Sequence, residues 1–585
     1  MFKTKFRALP LTIILTMVVA LLPSGFTFAH DADVTLTTVM RQGEPITYYG
    51  TDANQISTLD PQRADDSVSI DQIENLFLGL TNYDPLNPGG ITAELASEWS
   101  YDESGTVWTF TLRNDVPWVR WDPVADEGEV LRMVTAEDVA FGFKRACDPR
   151  LAAYYSNMAK QIVSGCDTLF DKPVDEIVPE DYDLVEVEAL DDTTLVVNLQ
   201  FPAGYFFSQT PMWIYRPVPR EVLEEYGDNW TDVGTIVTNG PFVLDELVRG
   251  VRRVYYRNPY LPADLQGPGN LERLIFTIVE DQGTRFALYQ DNQIDIGPVP
   301  AAELQAILED EAYSNQLLQT TNLAVYYFAF AVDKAPFDNV HARRAFNASL
   351  DRNAYIQEVN QGRGIPMIHF TPPGMFGAPP INEVGVGFDP DYAREQIELA
   401  GYPNCEGFPT VEMVTYASAT DDAEFLAASL ERELGCDPNI FVIEAQEFSV
   451  LLETVDKNNA TEDRPNMWTL GWGPDYADAN NWVNEVLYCE GQNDPKRPCS
   501  EVDDLIIEAA RESDPERRIE LYYIIEDMLF GPEGVVPIIP GFMGIGYSLI
   551  KPWYTGPFET DGLFGGDHWD FRSIDQEAQL AARSG

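Results

Sequence analysis

The sequence predicts a folded protein of several lobes with mixed α/β architecture. Its 585 residues are several times the roughly 100–150 residues of a usual domain. Apolar residues make up 45% of the chain and aromatic residues 12%, which is typical of a globular protein with a large core. Strand patterns alternate with helix patterns along the chain, and this order favours α/β lobes.

The clearest α/β unit lies in the second half of the chain. Strand patterns at 411–416 and 440–445 enclose a helix pattern over 421–434. We expect the two strands to be parallel and joined by a right-handed crossover. The other elements predicted in this half are strands at 325–332, 466–470 and 535–539, the last being the final strand, and helices at 338–350, 351–362, 389–401 and within 501–530.

Elements of the first half are marked by helix caps and side-chain periodicity. Thr135 is expected to cap a helix over 135–145, with Asp138 at the capping-box position. The stretch 106–112 alternates in the manner of a half-buried strand. The remaining predictions are strands at 46–54, 193–199, 274–279 and 294–296, a hairpin of 239–244 and 251–256, and helices at 66–79 and 281–290.

The N-terminus has the features of a secretion signal. Basic residues come first, an apolar run covers residues 9–22, and Thr27-Phe28-Ala29 forms a cleavage site of the small-x-small kind. The run is too short for a membrane span, and no later stretch reaches about 18 apolar residues. No cysteine follows the run, so a lipid anchor is not indicated. We predict a signal peptide over residues 1–29 and an exported, soluble mature protein.

Composition and motifs argue against several classes of function. A formal net charge of −57 argues against nucleic acid or an anionic membrane as a partner. The sequence contains no G-x-S-x-G, H-E-x-x-H or P-loop motif, and its four histidines are scattered. We therefore predict no catalytic residues, no metal site and no cofactor, which is the profile of a binding protein. An exported hydrolase whose triad forms only in three dimensions is the less favoured alternative.

The six cysteines fall into three couples that are close in sequence. In an exported chain this arrangement predicts the disulfides Cys147–Cys166, Cys405–Cys436 and Cys489–Cys499. Buried free thiols are the alternative for some of them. No C-x-x-C motif is present, so a zinc or redox motif is not indicated.

One stretch stands out as a candidate binding site. A short apolar run breaks at Gly471 and Gly473, and Asp475 then stands between Trp472 and Tyr476. A strand that ends in a glycine-loosened turn presents its last side chains to a crevice. A carboxylate flanked by aromatic rings there can receive a cationic group of a ligand. The alternative is a strand end with two packed aromatic rings and a solvated aspartate.

Several short motifs follow one another in order along the mature chain. They are Leu59-Asp60-Pro61 with residues 75–80, residues 95–100 with 108–118, residues 134–145, residues 239–242 with 257–260, residues 336–340 with 350–352, and Gly471-Trp472-Gly473-Pro474-Asp475-Tyr476. In type and order they resemble the extracytoplasmic solute-binding proteins of family 5, the oligopeptide, dipeptide and nickel receptors of ABC importers. The sequence departs from the family at Asn239, where the family has threonine or glycine, and at Ala479, where the family often has proline.

The resemblance implies a class II periplasmic-binding fold. In this fold two large lobes are joined by hinge strands, and the first lobe carries an extra subdomain. The boundaries expected from it are 42–66, 206–322 and 535–575 for lobe I, 67–205 for the extra subdomain (lobe II), 323–534 for lobe III, and 576–585 for a flexible tail. The lobes are expected to close on the ligand about the hinge.

The resemblance also implies a function, that of a monomeric receptor that delivers peptides to an ABC permease. In peptide-binding members, the aspartate at the position of Asp475 holds the α-ammonium of the peptide. Asp52 and Asn54 match a segment whose backbone pairs with the extended ligand. Such a receptor works in the periplasm or at the outer face of the cytoplasmic membrane.

The neighbours of Asp475 allow two interpretations of the ligand. For a peptide, Trp472 and Tyr476 would wall the pocket, while the glycines on either side of Trp472 would admit the ligand backbone. For an oligosaccharide, Trp472 and Trp482 would be stacking platforms for sugar rings. The sequence does not decide between them.

Overall fold

A computed structural model of the chain describes residues 44–87, 90–558 and 568–584. The signal peptide predicted over residues 1–29 lies outside these described residues and stays a prediction. The elements given below belong to one compact unit, Arg41–Gly585. Among the described residues, no helix is both long enough and apolar enough to cross a membrane.

Strands and helices alternate through the described residues, as the sequence patterns predicted. The strands are β1 (Thr47–Asp52), β2 (Thr81–Tyr83), β3 (Ile91–Ala93), β4 (Ala96–Tyr101), β5 (Val107–Leu112), β6 (Pro117–Asp122), β7 (Glu127–Met133), β8 (Val187–Ala189), β9 (Thr194–Asn198), β10 (Val237–Thr238), β11 (Phe242–Val248), β12 (Arg252–Arg257), β13 (Arg273–Ile278), β14 (Ile296–Pro298), β15 (Leu317–Phe330), β16 (Gly364–Pro366), β17 (Val411–Tyr416), β18 (Phe441–Gln446), β19 (Met467–Trp472), β20 (Ile538–Ile550), β21 (Tyr554–Thr555) and β22 (Ser573–Ile574). The helices are α1 (Ser67–Leu76), α2 (Ala136–Ala146), α3 (Ser156–Ile162), α4 (Cys166–Phe170), α5 (Phe206–Gln209), α6 (Arg220–Tyr226), α7 (Gln282–Gln290), α8 (Leu304–Glu309), α9 (Glu311–Ser314), α10 (Val340–Ala348), α11 (Arg352–Glu358), α12 (Pro390–Leu399), α13 (Thr420–Leu434), α14 (Phe448–Val455), α15 (Asn480–Val483), α16 (Glu501–Arg511), α17 (Pro515–Phe530) and α18 (Gln576–Ser584).

The largest sheet has the strand order β14-β20-β15-β19-β17-β18, and β16 also pairs with β20. Its long antiparallel pair, β15 and β20, runs from Leu317 opposite Leu549 to Ala329 opposite Ile538. At the other edge, β17 and β18 are parallel and joined through α13, which confirms the predicted β-α-β unit. Gly435 ends α13 in the left-handed conformation that favours glycine.

The first half of the chain builds smaller sheets. Strand β1 pairs in parallel with β13, and β13 pairs antiparallel with β12. Strands β11 and β12 form the predicted antiparallel hairpin. A second sheet has the order β4-β5-β9-β8 and buries alternate residues of β5. Asp138 accepts a hydrogen bond from the Thr135 backbone at 2.9 Å, so the predicted capping interaction at the start of α2 is present. The strand predicted at 294–296 lies two residues later, as β14.

All three predicted disulfides form. The bonds join Cys147 to Cys166, Cys405 to Cys436 and Cys489 to Cys499. They close loops with sequence separations of 19, 31 and 10 residues. Each therefore restrains its own short segment and does not tie distant parts of the chain together.

The last long strand differs from its prediction. The strand predicted at 535–539 begins at Ile538 and continues to Ile550. Gly541, Gly544 and Gly546 interrupt its run of side chains, and glycine weakens the pattern by which a strand is recognised. Two short strands, β21 and β22, follow it and pair with each other.

The C-terminal segment also differs, because the tail predicted as flexible over 576–585 forms helix α18 through Ser584. The side-chain amide of Gln579 is buried and donates to the two carboxylate oxygens of Asp295 at 2.9 and 3.0 Å. It also donates to the Thr47 carbonyl at 3.0 Å. The carboxylate of Asp295 is fully buried and needs hydrogen-bond donors. The bonds that Gln579 donates to it hold the C-terminal segment in place.

Candidate functional site

A cavity of about 1060 Å³ opens between two parts of the chain. One wall comes from residues 154–205, which include α3, and the other from residues 448–511, which include the end of β19. Both walls contribute aromatic side chains, which are Tyr154, Tyr155, Phe201, Tyr205, Phe448, Trp472 and Tyr488. A concave site with aromatic walls and a few polar groups is typical of ligand pockets.

Strand β19 brings the predicted binding stretch to this cavity. It pairs antiparallel with β15, which sets Gly471 opposite Tyr326. A Cβ atom on Gly471 would lie 2.9 Å from the Tyr326 ring, so the close approach of these strands requires glycine there. Within the described part of the chain, Trp472 and Gly473 line the cavity and Gly471 does not.

Asp475 lies in the cavity wall and is 6% exposed. Asn481 holds it in place on both sides: its Oδ1 accepts from the Asp475 backbone N–H, and its Nδ2 donates to Asp475 Oδ2, each at 2.9 Å. The side chain of Tyr155, from the opposite wall, also hydrogen-bonds to the carboxylate. The loop and the short helix α15 thus fix the orientation of Asp475 before any ligand arrives.

The charge of Asp475 has no cationic partner among the described residues. Its hydrogen bonds come from an amide and a phenol, which are neutral. Burial raises the pKa of Asp475 to about 6, and the bonds from Asn481 and Tyr155 oppose this rise without cancelling it. An approaching cation would stabilise a buried carboxylate in this setting.

Glu485 is a second carboxylate in the same wall, and it is not among the residues predicted from the sequence. Burial and the nearby charge of Asp475 raise the pKa of Glu485 to about 7. Gln161 of the opposite wall approaches it, with Nε2 to Oε2 at 3.5 Å. No sequence motif marks Glu485 among the 95 acidic residues. Its place depends on how α15 and the following turn are folded.

Tyr476 and Trp482 do not wall the cavity, which corrects the prediction for both residues. Tyr476 is fully buried, stacks on Tyr205 with ring centroids 5.8 Å apart, and accepts a hydrogen bond from Asn480 at 2.9 Å. Trp482 is fully buried in the core, edge-on to Phe370 at 5.0 Å. The turn after Asp475 and helix α15 direct both rings inward, where they support the wall from behind.

Asp52 and Asn54 also lie outside the lining of this cavity, as far as the described residues show. Asp52 ends β1 and forms an ion pair with Arg253, a neighbour in the same sheet. Asn54 follows shortly after the strand and is exposed. Pairing of a ligand backbone with this segment stays a prediction.

The polar groups of the site show no arrangement for metal binding. In residues 44–87, 90–558 and 568–584, no group of three or more His, Cys, Asp and Glu side chains is placed to hold a metal ion. The cavity offers the buried carboxylate of Asp475, the half-buried carboxylate of Glu485 and several aromatic faces, a combination that suits organic cations.

Known proteins resemble this chain over most of its length. The sequence model of one family, described as "Bacterial extracellular solute-binding proteins, family 5 Middle", matches residues 90–494. The periplasmic oligopeptide-binding protein OppA of Escherichia coli (strain K12) is 25% identical over 560 residues, which cover 93% of this chain and 95% of that protein. Heme-binding protein A of Haemophilus influenzae is 28% identical over 495 residues, which cover 81% of this chain and 84% of that protein.

A solved structure gives the corresponding likeness in three dimensions. The unliganded open form of the periplasmic murein tripeptide binding protein MppA matches with a TM-score of 0.73 at 23% identity. The match covers 92% of this chain and 98% of that one. It shows that this chain has the mixed α/β, two-lobed fold of periplasmic binding proteins, which confirms the predicted fold class.

Proposed function

Because this chain belongs to the bacterial extracellular solute-binding proteins of family 5, as its ordered motifs predicted, we propose that it captures extended peptides and delivers them to an ABC importer. The cavity beside Asp475 is the proposed binding site. The oligopeptide-binding relative of E. coli and the murein tripeptide binding protein support this choice of ligand. The mature protein would work as a monomer in the periplasm or at the outer face of the cytoplasmic membrane.

The observation that carries the proposal is the buried, cation-free carboxylate of Asp475 in the wall of a large cavity. A peptide α-ammonium would supply the missing positive charge and hydrogen bonds. In a water-poor cavity such a pair is much stronger than at the surface. Trp472 and Tyr155, which line the same cavity, would add aromatic faces around the cation.

The lobes predicted above complete the proposal. The wall of residues 154–205 falls in the proposed extra subdomain, and the wall of residues 448–511 falls in proposed lobe III. Hinge motion between lobe I (42–66, 206–322 and 535–575) and lobe III would then close the site over the ligand. Closure would enclose the ligand and bring the two lobes into the arrangement that the permease recognises.

The oligosaccharide alternative loses one of its two stacking platforms. It used Trp472 and Trp482 together, and Trp482 is packed against Phe370 in the core. Of these two tryptophans, Trp472 lines the cavity and Trp482 does not, within the described residues. We therefore keep the peptide as the proposed ligand.

The test is the isosteric change Asp475→Asn, assayed by calorimetry with tripeptides. The ligand is the tightest binder found in a mixed tripeptide library with free amino termini, and the same peptide N-acetylated serves as comparison. We expect Asp475→Asn to weaken binding of the free-amine peptide about 10- to 100-fold, since a desolvated charge pair is lost. The N-acetylated peptide should bind poorly to both proteins.

The matched control is Asp391→Asn, which makes the same chemical change at a carboxylate that is 96% exposed on α12. This control should bind as the unchanged protein does. Equal affinity of the Asp475→Asn and unchanged proteins for the free-amine peptide would refute the role of Asp475. Failure of every library peptide to bind would refute peptide capture itself.

A further inference from the structure

The cavity holds more negative charge than one ammonium group neutralises. Asp475 and Glu485 both line it, and Glu490 stands at an exposed position of the same wall. Arg511, at the end of α16, is the basic residue that lines it. Its guanidinium lies over the Phe201 ring, 5.4 Å from the centroid, and forms no ion pair within the described ranges.

The buried carboxylate of Asp475 and the half-buried carboxylate of Glu485 share one feature. A side chain of the opposite wall meets each of them: Tyr155 meets Asp475 and Gln161 meets Glu485. In both cases the donor is neutral, so neither negative charge is compensated. The charge of Asp475 also acts on Glu485, which places the two groups in one electrostatic site.

A ligand with a single ammonium on Asp475 would therefore leave the half-buried carboxylate of Glu485 without a charged partner. Enclosing an uncompensated carboxylate more deeply is costly. A ligand with a second cationic group would remove this cost and gain a second charge-assisted hydrogen bond. The aromatic faces of Trp472 and Tyr488 can cover the aliphatic stem of a lysine or arginine side chain.

We propose that Glu485 receives a second cation of the ligand, so that the cavity selects peptides with lysine or arginine at the first or second position. The inference rests on the proposed function, because it assumes that Asp475 holds the α-ammonium. Glu485 is thus a specificity-determining residue. Peptides without a basic side chain still bind through Asp475, with lower affinity.

A purely structural role of Glu485 predicts a different result. Glu485 accepts hydrogen bonds from Gln161 and Asn484. A glutamine at this position has nearly the same shape and keeps a carbonyl acceptor for both neighbours. The change Glu485→Gln therefore removes the charge and retains these contacts, so only the charge-based role predicts a change of ligand preference.

The experiment uses the full mature chain and three pairs of tripeptides. Lysine replaces one alanine of Ala-Ala-Ala at position 1, 2 or 3, and norleucine, which has a similar stem without the charge, replaces it in the matched peptide. We expect the unchanged protein to bind the lysine peptide about tenfold more tightly than the norleucine peptide at position 1 or 2. Glu485→Gln should bring the two affinities within about twofold.

Glu444→Gln is the control, because it removes an exposed carboxylate of β18 that does not line the cavity within the described residues. It should keep the lysine preference of the unchanged protein. Thermal unfolding of each variant checks that it is folded. The comparison of lysine with norleucine in the unchanged protein needs no variant and keeps the inference testable if Glu485→Gln does not fold.

Two results overturn the inference: the absence of any lysine preference in the unchanged protein, or a preference that persists in Glu485→Gln. Both leave the proposed function intact as long as Asp475→Asn still weakens the binding of free-amine peptides. If none of the six peptides binds and Asp475→Asn changes nothing, the proposed function fails together with the inference. The outcomes for Asp475 and Glu485 therefore separate the two claims.

Discussion

Asp475 and Asp478 are three residues apart in one loop, and both are buried, at 6% and 2% exposure. Asp478 faces the core, where both of its oxygens accept from Arg518 Nη2 at 2.8 and 2.9 Å. Burial alone would lower the pKa of Arg518, but the attraction of Asp478 raises it above its usual value. Asp475 faces the cavity and has only neutral donors.

The two acids differ in whether their charge is neutralised within the protein. Asp478 and Arg518 anchor the loop to α17, so removal of either charge leaves the other uncompensated. Asp475 is held in position by Asn481 but is not neutralised, so its remaining interaction is available to a ligand. One side of the loop thus carries an internal ion pair, and the other is the side that we propose for ligand recognition.

The largest expected effect comes from Asp478→Asn, which leaves the buried guanidinium of Arg518 without its counter-charge. We expect the free energy of unfolding to fall by about 3–5 kcal/mol, measured by urea denaturation at pH 7.5. Asp475→Asn is the matched comparison and should not lower it, because it replaces an unpaired buried carboxylate by a neutral amide. Similar losses of stability in both variants would remove the distinction between the two acids.

The next effect concerns pH. Asp475 and Glu485 have raised pKa values, about 6 and about 7, so these two carboxyls bind more protons in the folded, ligand-free protein than in the unfolded chain between roughly pH 4 and 7. Their contribution to stability is therefore present below pH 4 and is lost as the pH rises through 6 and 7. An ammonium ligand favours the ionised carboxylates, so binding should release protons near pH 6.

Calorimetry at pH 6 in two buffers of different ionisation enthalpy measures this release. Affinity for a free-amine peptide should fall as the pH drops from 7.5 to 5, by up to about tenfold per pH unit for each linked proton. Asp475→Asn should release fewer protons than the unchanged protein. Burial raises the pKa of Tyr155, which bonds to Asp475, so this phenol stays protonated through the range. Proton release that is the same in the variant would contradict the assignment to Asp475.

The smallest effect is expected for Tyr155→Phe, which removes the phenol that bonds to Asp475 from the opposite wall. The hydroxyl stabilises the ionised carboxylate by roughly 0.5–1.5 kcal/mol, so its loss should weaken peptide binding by less than about tenfold. The loss should be larger at pH 6 than at pH 8, where Asp475 is ionised in either protein. An equal loss at both pH values would point to lost packing in place of a lost hydrogen bond.

Local patterns in the sequence predicted much of the fold. The capping residues Thr135 and Asp138, the alternation in β5 and the β-α-β unit around α13 all depend on interactions between residues close in sequence, and all are present. The disulfides were predictable for the same reason, since each joins near neighbours. The helix α18 was not, because its order depends on a bond from Gln579 to Asp295, 284 residues away.

The site was predictable only in part. The ordered motifs of the chain singled out Asp475, and the structure places it in the cavity wall together with Trp472 and Gly473. The burial of Tyr476 and Trp482 depends on the direction in which α15 leaves the loop, which no residue pattern specifies. Glu485 was missed because an acidic residue acquires its role here from the cavity around it and not from its neighbours in sequence.

The disulfide between Cys489 and Cys499 links the rigidity of the cavity wall to the redox state of the compartment. The bond closes a loop of 10 residues that begins within the cavity wall, where Tyr488, Glu490 and Gln492 lie. In a reducing compartment the two cysteines stay reduced, and this part of the wall lacks its covalent restraint. If the chain is exported as we propose, the bond would form after export and restrain this part of the wall. Under the proposed function, the cavity wall would therefore gain this restraint in the same compartment in which we propose that the ligand is captured.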